Sequence, residues 1–204
     1  MRKKLTGILL VFCLAAGLTA GLAACSSGGP APQPSGEGAG IDPEKPSVTP
    51  SESPEEGPVI SFQTTDLEGN AVSSEDIFGA HTLTMVNLWG TYCGPCINEM
   101  PDLEELNGRL ADRDCAIIGV VIDVAGMNDS AQLTAAGAIL KDTGVTYLNL
   151  LPWNSLDADF PAEYIPTSYF VDSEGRIIGE AAVGSRGADD YEALIDAALS
   201  AMGN

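Results

Sequence analysis

The sequence predicts an α/β fold: a central mixed β-sheet, made of a βαβ half and a ββα half, flanked by helices and carrying an N-terminal strand extension. Three observations carry that reading. Apolar runs at 83–89 and 115–122, free of charge and too short to span a membrane, have the pattern of strands buried on both faces. Stretches with apolar residues three and four apart separate the runs, so strand alternates with helix and the strands lie parallel with right-handed crossovers. Further on, two extended runs flank Asp172-Ser173-Glu174-Gly175, the turn chemistry of an antiparallel hairpin.

In chain order, the 204 residues allow one domain of ordinary size plus extensions. Arg2-Lys3-Lys4 followed by an apolar stretch to Ala24 and ending in small residues reads as an export signal, residues 1–24. Its end, Leu22-Ala23-Ala24-Cys25, resembles the lipobox of bacterial lipoproteins, which implies that Cys25 is acylated as the new N-terminus and holds the protein to a membrane; the alternatives are an uncleaved anchor helix or a released protein. Residues 25–57 are rich in Ser, Gly, Pro and Glu, with Ile41 and Val48 almost alone as aliphatic residues. That composition buries too little surface to offset ordering entropy and reads as a disordered tether, reaching roughly 100 Å when extended.

Nine basic residues stand against 29 acidic ones, for a net charge of −20. The export signal holds three basic and no acidic residues, so its loss leaves six against 29, or −23. Such a charge argues against nucleic acid as a partner and against binding to anionic lipid through the folded surface.

The folded domain is expected over 58–204. Val59-Ile60-Ser61-Phe62 reads as a lead-in strand, Asp66 to Asn70 as a hairpin turn into Ala71-Val72, and Ser73 to Ile77 as a capped helical turn. After the run at 83–89, apolar residues at 97, 100, 103, 106 and 110 mark one helix face. Cys115 to Ile122 is the next strand, and Cys115 a small core residue. Asn128-Asp129-Ser130 caps a helix through Lys141 that ends at Gly144, and 147–151 is a strand. The hairpin strands fall at 167–171 and 176–182, and Tyr191 to Leu199 forms a closing helix.

Chemistry concentrates at Cys93-Gly94-Pro95-Cys96, where the strand ending at Trp89 hands over to a helix. The first N–H groups of a helix are unpaired and partially positive, so they stabilise a thiolate at Cys93 and make it the attacking sulfur. Cys96, one turn on, lies on the same face and can close or resolve a disulfide. Pro95 suits a first turn, which has no internal use for its missing N–H. A zinc site would need about four ligands, and beyond the export signal only Cys115, Cys25 and the lone His81 remain. A structural disulfide at this spacing closes too short a loop to stabilise much.

Asn87 to Pro101, NLWGTYCGPCINEMP, and Ile165 to Asp172, IPTSYFVD, resemble the TlpA/ResA-like branch of the thioredoxin superfamily: exported, membrane-tethered thiol-disulfide oxidoreductases. The resemblance covers roughly Pro58 to the C-terminus and implies the thioredoxin fold, the topology that the order of elements also indicates. It implies Cys93 as nucleophile, Cys96 as resolving cysteine, Pro166 as a cis-proline beside the disulfide, and Pro101 as a helix-kinking proline. A cis-proline there leaves the Ile165 backbone free to pair with an incoming peptide. Trp89, Tyr92, Gly94 and Pro95 complete the expected client-binding surface. Asn87 stands where cytoplasmic thioredoxins carry a buried acid, so a carboxylate at that point is absent. Glu163 is weighed as a proton-moving group against the simpler reading of a surface carboxylate.

The expected reaction is dithiol-disulfide exchange with no cofactor beyond the Cys93–Cys96 pair and no metal. Gly-Pro between the cysteines matches thioredoxin, near −270 mV, and lacks the His of oxidising relatives near −120 mV, which points to a reductant. Expected partners are client proteins with disulfides, a transmembrane electron donor and the membrane itself through Cys25. Expected tasks are reduction of apocytochrome c disulfides to the thiols needed before haem attachment, or support of a methionine sulfoxide reductase, on the extracytoplasmic face of the cell membrane. Two alternatives are a peroxiredoxin-type thiol peroxidase and a copper-carrying protein of the same fold. The first lacks a Pro-x-x-x-Thr-x-x-Cys pattern before Cys93, and the second lacks a histidine after Cys96.

Overall fold

A computed structural model describes residues 58–203. The export signal, Cys25 and the tether lie outside the described residues. None of the described helices is long and apolar enough to cross a membrane.

The first elements form an antiparallel hairpin, β1 (Gln63–Thr65) and β2 (Ala71–Ser73), closed where Asp66 Oδ1 accepts from the N–H groups of Glu68 and Asn70. The paired strand starts later than expected. Ile60 and Phe62 are buried, but the ladder does not reach them: Ile60 N donates to the Gly175 carbonyl and Phe62 N to Ser74 Oγ. Helix α1 (Ser74–Phe78) is capped by Ser73, which accepts from Asp76 N–H.

Strand β3 (Leu83–Trp89), buried at all seven positions, is the centre of the molecule. It leads into helix α2 (Gly94–Leu110), then strand β4 (Cys115–Val121), which pairs parallel with β3. Helix α3 (Ser130–Thr143), capped by Asp129 and closed by a left-handed Gly144 at φ 76°, leads to strand β5 (Asn149–Leu150), parallel to β4. Helix α4 (Leu156–Asp159), which the sequence pattern did not indicate, precedes strand β6 (Thr167–Asp172), antiparallel to β3. Strand β7 (Ala182–Val183) and helix α5 (Ala188–Ala201) complete a sheet in the order β5-β4-β3-β6-β7. This is the expected mixed sheet.

Alternation along the strands divides the core into two layers. Leu83, Met85, Cys115, Ile117 and Phe170 face α2 and α5, and meet Leu103, Leu106, Leu110, Tyr191 and Ile195. Val86, Leu88, Ile118, Val120 and Val171 face the other way, onto Ile60, Phe62, Phe78 and Phe160. Cys115 is a buried free thiol held above its ordinary pKa by burial, in keeping with a core residue. Outside the core, Arg109 of α2 and Arg113 in the turn after it pair with Asp189, Glu192 and Asp196 of α5.

Two expected strands are shorter in the structure, each for a local reason. Beyond β5, Leu151 N–H turns away from the sheet's parallel ladder to the Thr65 carbonyl. The strand expected at 176–182 keeps one bridge, Val171 to Ile177, before Gly179 at φ 71° breaks the ladder, so that β7 is only 182–183.

At the carboxyl end of the parallel strands, Trp89 is wholly enclosed and its Nε1 donates to Asn149 Oδ1 at 2.9 Å. Gly119 makes room for that bond: a Cβ there would lie 2.0 Å from Asn149 Oδ1 and 3.0 Å from Trp89 Nε1. Gly119→Ala is therefore expected to cost about 2–4 kcal/mol, from overpacking plus an orphaned indole N–H. Urea unfolding measures it, and a loss below about 0.5 kcal/mol would show that Asn149 swings aside freely.

Candidate active site

Strand β3 ends at Trp89, and the next four residues form a tight turn in which Cys93 N donates to the Gly90 carbonyl at 3.0 Å. The turn delivers Cys93 to the N-cap of α2, where its sulfur accepts the Cys96 N–H at 3.2 Å; Pro95 sits in the first helical turn. Cys93 and Cys96 form a disulfide. Cys93 is 7% exposed and Cys96 1%, so an incoming thiol meets Cys93 first. On reduction, the N–H donor and the helix dipole both favour a thiolate at Cys93.

Across from the disulfide, the Ile165–Pro166 peptide is cis, and the Ile165 carbonyl oxygen lies 3.7 Å from Cys93 Sγ. Pro166 is buried, Ile165 half-buried, and Gly94 and Pro95 are exposed. Tyr92 is 72% exposed. Trp89 departs from expectation: with no exposed surface its ring offers nothing to a client, and it serves as the packed floor of the site. The structure adds two exposed apolar residues to this neighbourhood. Tyr164 precedes Ile165, and Val183 sits opposite Thr167 on the neighbouring strand.

Beneath the disulfide lies a group that sequence reasoning missed. Glu99, one helical turn after Cys96, is 1% exposed. Its Oε1 accepts from Asn87 Nδ2 at 3.0 Å, and its Oε2 from Arg186 N at 3.0 Å and Tyr191 Oη at 3.1 Å. Asn87 Nδ2 also donates to Ser168 Oγ, and Ser168 Oγ to Tyr191 Oη, closing a ring through β3, β6, α5 and α2. Burial pushes the Glu99 carboxyl above its ordinary value, and the donors around it pull the other way without cancelling the effect. The Tyr191 hydroxyl is likewise raised, by burial and by the Glu99 charge. The signal in the sequence was its place on the helix stripe: the buried positions are 96, 99, 100, 103, 106 and 110, while Ile97 is only half-buried. Asn87 thus donates to a carboxylate supplied by α2. Glu163 lies exposed on the loop before Ile165, in the surface setting. His81 stands apart, 3.8 Å from Asp114.

A carboxyl whose pKa is raised by folding binds its proton more tightly when folded, so its contribution to stability is present below the unfolded value and is lost as pH rises through the folded one. Relative to Glu99→Gln, the wild-type protein is expected to gain stability as pH falls from 8 through the raised folded value to the ordinary carboxyl value of 4.5. Urea midpoints of the two proteins across that range test this, and a constant difference would show that Glu99 is not perturbed.

Comparison with known proteins places this geometry. The sequence pattern of the Redoxin family matches residues 52–195. The chain is 26% identical over 138 residues to the thiol-disulfide oxidoreductase ResA of Bacillus cereus, a match that covers 66% of this chain and 73% of that protein. It is 29% identical over 142 residues to the thioredoxin-like protein YneN of Bacillus subtilis, covering 70% and 78%. A thiol:disulfide interchange protein of the thioredoxin family from Chlorobium tepidum superposes with a TM-score of 0.61 at 25% identity, over 72% of this chain and 99% of that one. With a Cys-x-x-Cys disulfide at the start of a helix and these relatives, the chain belongs to the Redoxin family and is a ResA-like thiol-disulfide oxidoreductase of thioredoxin fold.

Proposed function

We propose that the protein is a membrane-anchored, extracytoplasmic reductase of protein disulfides, with Cys93 as nucleophile and Cys96 as resolving thiol. The observation that carries this is the placement of the more accessible sulfur at the α2 N-cap, against the cis-Pro loop, with a buried carboxyl one turn beyond the second sulfur. In the reduced protein, Cys93 thiolate attacks one sulfur of a client disulfide and releases the other as thiolate, which takes up a proton. Cys96 loses its proton and attacks Cys93 Sγ; the client's second thiolate leaves and is protonated, and Cys93–Cys96 is oxidised. Two electrons pass to the client and none is left over. The pair itself carries them, so the reaction needs no bound cofactor.

Glu99 serves the second step. Cys96 is enclosed, and a thiol that must ionise away from water needs a nearby base whose pKa has been brought towards neutrality. The exposed Tyr92, Tyr164 and Val183 give an unfolded client an apolar landing surface, and the Ile165 backbone gives it a strand partner. The lipobox-like Leu22 to Cys25 and the tether to 57 support anchorage. Several acyl chains at about 0.8 kcal/mol per buried methylene hold such a protein where one would not. A transmembrane donor then re-reduces the pair, since glutathione and cytoplasmic thioredoxin do not reach that face. Disulfide-bonded apocytochrome c and a methionine sulfoxide reductase are the clients we put first.

The test is Cys96→Ser expressed in the native membrane, followed by identification of proteins held to Cys93 by a reducible bond. Without the resolving thiol, clients accumulate as mixed disulfides. An apocytochrome, a sulfoxide reductase or a transmembrane donor in the trap supports the proposal. An empty trap with Cys93 shown reactive, or rapid turnover of hydrogen peroxide, overturns it. In the same assay system, Glu99→Gln is expected to slow resolution of a preformed mixed disulfide by about 100-fold, the scale of general-base assistance, with attack by Cys93 far less affected.

A further inference from the structure

The turn that presents Cys93 is held from outside by a side-chain clamp that the exchange chemistry does not itself require. Asp123 lies two residues beyond the end of β4, at the same edge of the sheet as the disulfide. Its Oδ1 accepts the Thr91 N–H at 2.9 Å, and its Oδ2 accepts the Thr91 hydroxyl at 2.5 Å. Gln132 of α3 then donates from Nε2 to Asp123 Oδ2 at 3.1 Å and to Thr91 Oγ1 at 3.3 Å. Both carboxylate oxygens are thus spent on one residue, two positions before the nucleophile. The neighbouring Gly90 packs closely on the site, since a Cβ there would lie 3.1 Å from Tyr92 Cε1 and 3.2 Å from Ile165 Cδ1.

We propose that Asp123 is a positioning residue for Cys93: by fixing the turn from Gly90 to Cys93 against β4 and α3, it keeps the Cys93 sulfur on the Cys96 N–H and so sustains its thiolate. The inference rests on the reading of Cys93 as the nucleophile. The physical reason is the steepness of the contact. A charge-stabilising N–H to sulfur bond weakens quickly with distance and angle, and within the turn the backbone itself supplies one bond, Cys93 N to Gly90 O, before Ile97 N–H bonds the Cys93 carbonyl in the helix. Asp123 acts through geometry, so its charge is not the agent. A carboxylate acting through charge would oppose the thiolate, whereas the clamp favours it.

Three variants of the full chain separate these effects: Asp123→Ala removes the clamp, Asp123→Asn removes the charge but keeps an acceptor for the Thr91 N–H, and Thr91→Val removes the hydroxyl arm alone. The readout is the pH dependence of Cys93 alkylation by iodoacetamide in the reduced protein, followed on the Cys93 peptide by mass spectrometry, with the Tm of each variant alongside. For Asp123→Ala the alkylation midpoint is expected about one pH unit higher, a roughly tenfold loss of thiolate below it. Thr91→Val is expected to move it less in the same direction, and Asp123→Asn to restore it. A lowered Tm with an unmoved midpoint in Asp123→Ala and Thr91→Val overturns the proposal in favour of a scaffold role. A midpoint lowered alike in Asp123→Ala and Asp123→Asn overturns it in favour of a charge effect. If Asp123→Ala does not fold, Thr91→Val decides by the same criterion. Failure of Cys93 to alkylate in the wild-type protein would instead defeat its assignment as nucleophile.

Discussion

A sulfur at the first turn of a helix is useful only if the helix begins at a fixed place, and most of this domain serves that constraint. Strand β3 is the central strand of five and is buried along its whole length, so its end at Trp89 cannot slide without breaking pairings to β4 and β6 together. Asn149 anchors the Trp89 ring from β5, and Asp123 holds the following turn from the end of β4. The handover from strand to helix is therefore pinned on three sides. What remains free is the outward surface, where Tyr92, Gly94 and Pro95 are exposed.

The inner side of the same helix carries a second constraint. A carboxyl enclosed as completely as Glu99 must be hydrogen-bonded, and its partners come from β3, from the segment at 186 and from α5. Packing alone would let α2 and α5 cover the sheet in several ways. The ring of Asn87, Ser168, Tyr191 and Glu99 is satisfied in one arrangement, so the polar cluster that conditions the chemistry also sets how the helices seat. It also links the two sulfurs to the cis-Pro loop indirectly, because the Gly184 N–H bonds the Pro166 carbonyl two residues before Arg186 reaches Glu99.

Charge is distributed in a way that keeps this interior separate from the acidic exterior. Three of the arginines among the described residues, 109, 113 and 176, are committed to ion pairs with exposed or half-buried carboxylates. Exposed pairs of this kind contribute little to stability, and those of Arg109 and Arg113 moderate local repulsion between acidic side chains of α2 and α5. A strongly acidic surface favours soluble behaviour.

By itself, the sequence determined the class of the fold, the order of its principal elements, and the redox pair. These are local properties: an apolar run marks a buried strand, Asp129 and Gly144 mark the ends of a helix, and Cys-Gly-Pro-Cys at a strand end marks a sulfur at a helix N-terminus. The short strands β5 and β7 were overestimated because their lengths depend on what neighbours them: the N-terminal hairpin takes the backbone beyond β5, and Gly179 breaks the ladder leading to β7. Trp89, expected on the client-binding surface, is enclosed instead, since a sequence shows that a ring is near a site but not which way it turns. Glu99 and Asp123 were passed over because carboxylates are ordinarily solvated, and nothing local distinguishes one that folding will enclose or turn onto a backbone N–H. Only the tertiary structure decided those two, since their partners stand 9 to 92 residues away along the chain and come within reach only when sheet and helices close.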